Sequence, residues 1–270
     1  PQTAAAVAAR LTTIAPQHAL ALATVAGRAR LVGQDDTTRE IRRALQRAQN
    51  DEKAPRFFVV VGPDGVGKSR LLQEIKSQLQ LEGQRAALGR CPANQASLHQ
   101  ALADLARGLA PAQPSPADAV DEEVLRYLCP DLIKEPRAAI AYSATAERKG
   151  LSHAMVKFFQ RAATQRPCVL LLDDVEHCDS GTAQVLQELL SLPNQRQVAM
   201  VATIAAIAQL PAGLRDLPRQ TFTLAALSSS LVKQLCCALL STGQVPDTFA
   251  EAIYAFSEGN PLAIEQLLAL

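Results

Sequence analysis

The sequence predicts a three-layer α/β/α fold around a parallel sheet, followed by a small helical domain. Three observations predict it. Uninterrupted apolar runs such as Phe57-Phe58-Val59-Val60-Val61 and Cys168-Val169-Leu170-Leu171-Leu172 read as strands buried on both faces. Amphipathic helical stretches separate these runs, the alternation that gives parallel strands joined by crossover helices. After Leu227 the strand signals stop and only short helical patterns remain.

Composition sets the bounds. The chain has 270 residues and is 48% hydrophobic, ample for a large core. Net charge is +1, so no global field draws it toward nucleic acid or anionic lipid. A local basic patch stays open on that ground alone, but the sequence has no basic stripe and no recognisable recognition helix, so no direct nucleic-acid contact is expected, and no membrane. Six cysteines include no Cys-x-x-Cys pair and read as reduced thiols of a cytoplasmic protein. The longest near-apolar run, 198–208, is far short of the roughly 20 residues a spanning helix needs.

Residues 1–30 are Ala/Thr-rich and read as an arm or linker, or as short helices over 4–11 and 18–26. Residues 31–227 form the main domain and 228–270 the helical one. A helix over 37–49 carries Ile41, Leu45 and Ala48 on one face. Strand 57–61 leads into a Gly-rich turn and a helix over 68–81, stopped at Gly83. A weaker strand covers 85–91 and a helix 95–109. Five prolines mark 110–136 as an excursion with one helix over 121–127. A long helix covers 145–165. Strand 168–172 ends in Asp173-Asp174, a helix covers 182–192, and strands cover 198–204 and 221–224. Helices over 228–240, 247–257 and 261–270 close the chain. Between the last two, Gly259 suits a left-handed C′ position, Asn260 a cap, and Pro261 a first turn.

The turn carries the chemistry. Gly62-Pro63-Asp64-Gly65-Val66-Gly67-Lys68-Ser69 matches G-x-x-x-x-G-K-[ST]. Its glycines let backbone N–H groups converge on phosphate oxygens, and the following helix points its positive end at them. Lys68 supplies a charge for the β- and γ-phosphates, and the Ser69 hydroxyl is a Mg²⁺ ligand. The motif lies between a buried strand and an amphipathic helix, the context it requires. ATP or ADP with Mg²⁺ is the expected ligand.

Asp173 ends a buried strand, where parallel sheets face their ligands, and is the expected second Mg²⁺ partner. Asp174 is placed to orient or deprotonate a water; its bland reading is part of an acidic helix start. Glu176 is its substitute. His177 and Cys178 lack further spaced ligands and read as exposed loop residues. Thr203 ends its strand, as a γ-phosphate or water contact or as a plain strand end. Arg215 and Arg219 are arginine-finger candidates or surface cations.

With these pieces in place, residues 31–270 resemble the nucleotide-binding module of STAND ATPases, regulatory phosphate-loop proteins. Leu31-Val32-Gly33-Gln34 is similar to that group's opening motif, which implies that Val32 packs on the adenine. Residues 62–72 resemble its Walker A loop and helix, which adds Arg70 to the nucleotide contacts. Residues 170–179 resemble its Walker B strand. Glu258-Gly259-Asn260-Pro261-Leu262 looks like the Gly-x-Pro motif of its lid, which implies that Pro261 touches the base or ribose. The group usually carries Arg where this chain has Gln34, and often Arg after the third strand, where this chain has Thr203-Ile204-Ala205-Ala206.

The resemblance implies a switch. ATP and ADP favour different lid positions, coupled to a fused effector domain or to self-association, with slow hydrolysis in which Lys68 and Asp174 are catalytic. One rival is an ADP-locked interaction scaffold without turnover. Another is an AAA+ mechanical ATPase, which needs a lid arginine; this chain has no Lys or Arg after Lys233.

Overall fold

The computed structural model describes residues 32–94, 99–109, 119–130, 145–192 and 197–269. The arm expected over 1–30 lies outside the described residues, as do 95–98, 110–118 and 131–144. Among the described residues no helix is long and apolar enough to cross a membrane.

The chain divides into two compact units. The larger holds Arg39–Val61 and Leu72–Thr223. Its strands are β1 (Phe57–Val61), β2 (Arg85–Arg90), β3 (Cys168–Asp173), β4 (Val198–Ile204) and β5 (Arg219–Thr223). They form one sheet of order β2-β3-β4-β1-β5, and every pair is parallel. The apolar runs explain the order. All residues of β3 and β4 are buried, as central strands covered on both faces must be. The expected strand 221–224 begins earlier, at Arg219, and alternates in exposure with only Phe222 buried. Its place at the sheet edge accounts for that.

The helices follow the expected order: α1 (Asp35–Asn50), α2 (Lys68–Leu81), α3 (Gln100–Leu109), α4 (Ala119–Leu128), α5 (Thr145–Gln165), α6 (Ser180–Ser191) and the short α7 (Ala212–Arg215). Helix α6 starts two residues before the expected position because Asp179 caps it, accepting a hydrogen bond from the Thr182 N–H. One core runs through this unit, from Phe57 and Val59 to Leu102, Phe159, Leu170, Leu186 and Met200. Parallel pairing brings the C-terminal ends of β1 to β5 to one edge, where open α/β sheets carry their chemistry.

The smaller unit gathers residues 32–38, 62–71 and 224–269. It holds α8 (Ser229–Leu239), α9 (Asp247–Ser257) and α10 (Pro261–Leu268). Val232, Leu235, Cys236, Phe249, Ile253, Ile264 and Leu268 form its core, and Val32 packs against them. The turn from α9 to α10 is tight. Glu258 and Gly259 are both left-handed, at φ 51° and 75°. The Asn260 side chain then caps α10, accepting from the N–H groups of Leu262 and Ala263, and Pro261 sits in the first turn. The Gly259 carbonyl accepts a 2.8 Å bond from the Leu227 N–H. A Cβ at position 259 would stand 2.1 Å from the Leu227 carbonyl oxygen. Gly259→Ala therefore meets both a steric block and an unfavourable φ. It is expected to destabilise the protein by about 1–3 kcal/mol, read from the midpoint of chemical denaturation.

Candidate nucleotide-binding site

The loop Gly62–Ser69 follows β1 directly along the chain, and its shape is set by what its carbonyls do. Gly65 and Gly67 adopt φ of +79° and +102°, open to glycine and costly for other residues. The Lys68 Nζ donates to the carbonyls of Gly62 at 2.8 Å and Pro63 at 3.2 Å, and pairs with the Asp64 carboxylate at 3.3 Å. The Asp64 carbonyl accepts from the Asn260 Nδ2 at 2.8 Å. The Gly65 carbonyl accepts from the Leu262 N–H at 3.2 Å, and the Val66 carbonyl from the Gln34 Nε2 at 2.9 Å. The Gly67 carbonyl takes the first bond of α2, from the Leu71 N–H. Six successive carbonyls thus have donors.

This arrangement fits a phosphate. In a trans peptide the C=O and the next N–H point in opposite directions, and the chain has no cis peptide among the described residues. A donor on each carbonyl from Pro63 to Gly67 therefore turns the following N–H the other way. The N–H groups of Lys68, Ser69 and Arg70 open a helix and have no partner within it. They are donors for an anion beside the buried Lys68 ammonium, and their helix end is positive. Ser69 is half-buried at this helix start. Arg70 is held by Glu265 at 3.2 Å. Pro261 stands at the start of α10, next to the loop's two lid contacts, and Val32 lies in the small core just before Gln34.

Gln34 is the residue that sequence reasoning misjudged. It was marked only as the absence of an arginine. It is 3% exposed, its Nε2 braces Val66, and its Oε1 is buried with no partner among the described residues. Its amide also lies 3.1 Å from where a Cβ on Gly67 would be, so glycine is needed there for space as well as φ. No local signal marks a contact 32 residues away.

In the larger unit, Asp173 ends β3 and is 2% exposed. Its Oδ1 accepts from the Thr203 hydroxyl at 2.7 Å, and its Oδ2 pairs with Arg90 at 3.5 Å. The same Thr203 hydroxyl accepts from the Asp174 N–H at 3.0 Å. Thr203 is thus the clasp of the two acids rather than a plain strand end. Arg90 was not foreseen; it lies opposite Asp173 in the register of β2 and β3. Asp174 is half-buried with a left-handed backbone at φ 56°, which Asp tolerates better than most residues. A fixed carboxylate at a strand end is the hard oxygen donor that Mg²⁺ takes, so the donor set fits that ion.

The remaining candidates are occupied locally. The Glu176 Oε1 accepts from the Ala205 N–H at 3.0 Å. Arg215 donates to the Leu210 carbonyl at 2.6 Å and Arg219 to the Arg215 carbonyl at 2.6 Å, so both are tied to nearby backbone. His177 is exposed. Cys178, expected to be an exposed loop residue, instead packs against the core. A hydrogen bond with Cys91, with burial, pushes its thiol well above the usual range. Asp179 joins two helix starts: besides capping α6 it accepts from the His99 N–H at 3.2 Å. Burial raises its carboxyl, but bonds from Thr182 and the nearby His99 outweigh this and hold it low. Burial also lowers His99, against the pull of Asp179.

The model of the AAA ATPase domain matches residues 30–201. The chain belongs to the AAA ATPase domain family. Membership implies nucleotide binding, with Mg²⁺ as the usual companion. No curated protein matches the chain. Solved structures share the fold of this AAA domain. Cdc6p from Pyrobaculum aerophilum is 12% identical at a TM-score of 0.59, over 88% of this chain and 60% of that one. The Orc1 protein of Aeropyrum pernix, in complex with DNA, is 14% identical at 0.54, over 94% and 63%. The Thermotoga maritima RuvB Holliday junction branch migration motor is 16% identical at 0.50, over 88% and 61%. The chain spans about 60% of the length of these proteins.

The Orc1 complex overturns one expectation. The lack of a basic stripe and of a recognition helix in the sequence argues against direct contact with nucleic acid, yet the fold of this AAA domain is also that of a protein solved on DNA. Net charge reports the far field, whereas phosphate contact needs only a local set of donors.

The clasp in this AAA domain can be tested. Thr203→Val keeps the shape but leaves a buried carboxylate oxygen and the Asp174 N–H each short of a partner. It is expected to cost about 1–3 kcal/mol in chemical denaturation, with Thr203→Ser recovering most of it.

Proposed function

We propose that this AAA ATPase domain is a nucleotide-operated switch of the STAND type. It binds ATP and ADP with Mg²⁺, hydrolyses ATP slowly, and couples nucleotide state to the position of its C-terminal helices and thence to an effector. One observation carries the reading. The helices that hold the phosphate loop carry no cation after Lys233, so they act on the loop through neutral donors and a carboxylate. A mechanical ATPase of this fold needs a lid arginine at the γ-phosphate.

In this reading the N–H groups of residues 65–70 and the Lys68 ammonium bind the phosphates. Ser69 and Asp173 hold Mg²⁺, which when bound neutralises charge on the phosphate oxygens. Thr203 and Arg90 keep the Asp173 carboxylate aimed. Asp174 positions the attacking water, and Val32 and Pro261 contact the base or ribose. For such a switch to work, nucleotide must interact differently with two lid positions.

Two variants test this. Lys68→Ala removes a charged donor and is expected to weaken Mg·ADP binding at least about 10-fold by calorimetry. Asp174→Asn keeps a residue suited to a left-handed backbone. It is expected to slow phosphate release by about 10²-fold or more while leaving nucleotide affinity intact. Unchanged affinity in Lys68→Ala sinks the binding site. ADP retained after purification, with no phosphate release from either wild type or Asp174→Asn, identifies an ADP-locked scaffold instead.

A further inference from the structure

We propose that Asn260 is the residue through which the C-terminal helices read and set the phosphate loop, by controlling the orientation of the peptide planes on either side of Gly65. This rests on the nucleotide-switch reading and names the regulation of that site.

The Asn260 side chain does two jobs at once. Its Oδ1 accepts from the Leu262 N–H at 3.0 Å and the Ala263 N–H at 3.4 Å, capping α10. Its Nδ2 donates 2.8 Å to the Asp64 carbonyl. The cap also fixes the Leu262 N–H, which lies 3.2 Å from the Gly65 carbonyl. The two lid donors therefore grip two consecutive peptides, 64–65 and 65–66. Because each peptide is planar and trans, gripping the Asp64 oxygen aims the Gly65 N–H, and gripping the Gly65 oxygen sets the Val66 N–H, which lies 3.4 Å from the Pro63 carbonyl across the turn. The Gly65 N–H belongs to the set that a phosphate would take, and the Val66 bond holds the turn that presents it.

Gly65 makes the grip necessary. It lies between the two held peptides at φ +79° and has no side chain to restrict rotation. The loop beyond it is held independently: Gln34 takes the Val66 carbonyl and Lys68 those of Gly62 and Pro63. Residues 64–65 are thus the one stretch of the turn whose carbonyl partners come from the lid. The contact is also close. A Cβ on Gly65 would stand 2.6 Å from the Asn260 Oδ1 and 2.9 Å from the Leu262 Cβ, so only glycine lets the lid seat. The Arg70–Glu265 pair ties the same two segments one helical turn further on.

Coupling follows by linkage. If a seated lid aims N–H groups at phosphate, bound phosphate favours the seated lid by the same factor. The coupling needs no cation on the lid, in keeping with its lack of Lys and Arg past residue 233.

Asn260→Ser separates the two jobs. Serine is also a good N-cap, so α10 is retained, but it has no amide to reach the Asp64 carbonyl. Mg·ADP affinity is measured by calorimetry, and amide hydrogen exchange across 228–269 is followed with and without Mg·ADP. Wild type is expected to bind and to gain protection in α10. In Asn260→Ser, affinity falls about 2- to 12-fold, the value of one hydrogen bond. The nucleotide-dependent protection of α10 is lost even at saturating Mg·ADP. Asn260→Gln, which keeps an amide on a longer arm, restores part of that protection. Saturated Asn260→Ser with protection equal to wild type overturns the proposal while leaving the nucleotide site standing. A wild type that binds no Mg·ADP overturns both.

Discussion

The planarity of the peptide bond governs this site. A loop that binds phosphate must turn its N–H groups to one side, and a planar trans unit does so only if its carbonyls are held on the other. Here the carbonyls of residues 62–67 are all held, and their donors come from three parts of the chain: the stretch before α1, the loop and helix themselves, and the turn before α10. The glycines at 65 and 67 permit the turn, and the distant donors choose which of its accessible shapes is kept. Gly259 belongs to the same constraint, since it lets the chain fold sharply enough for Asn260 to cap and reach at once.

A second constraint acts at the sheet edge. A carboxylate at 2% exposure must be satisfied by hydrogen bonds or counter-charge. Asp173 has both, in Thr203 and Arg90, each supplied by a strand beside β3. Thr203 is itself wholly buried on an otherwise apolar strand, which a hydroxyl tolerates only with partners. It bonds both the acid that would hold metal and the backbone of the acid that would orient water, so shifting one shifts the other.

The sequence was informative where the physics is local. Fully apolar runs mean strands covered on both faces, and the central strands were legible for that reason, whereas edge strand β5 alternates and was placed two residues late. The turn between β1 and α2 was legible because its glycines mark a sharp bend between a buried strand and an amphipathic helix, and Gly65 and Gly67 do adopt positive φ. What escaped depended on pairs far apart in the chain. Gln34 and Val66 are separated by 32 residues, and Asn260 and Asp64 by 196. One sequence carries no trace of such pairings, so Gln34 looked like a missing arginine and Asn260 like a cap alone. The exclusion of nucleic acid failed for a different reason: a basic stripe or a recognition helix is sought in consecutive residues, whereas phosphate contacts are assembled by the fold.

These constraints bear on how the C-terminal helices hold the loop without a cation. An arginine reaching the γ-phosphate senses the ligand directly and discriminates ATP from ADP by charge. Asn260 and the Leu262 N–H contact the loop through its carbonyls. In the coupling proposed above they would respond to the peptide planes that a bound phosphate fixes, and so register whether the loop is ordered before how many phosphates are present. In the switch proposed above, discrimination between di- and triphosphate would fall to the groups at the strand ends, Asp173 with its Thr203 and Arg90 partners, and to Asp174 on its left-handed turn. Occupancy and phosphate number would thus belong to different parts of the chain, a division that suits slow switching better than work on every turnover.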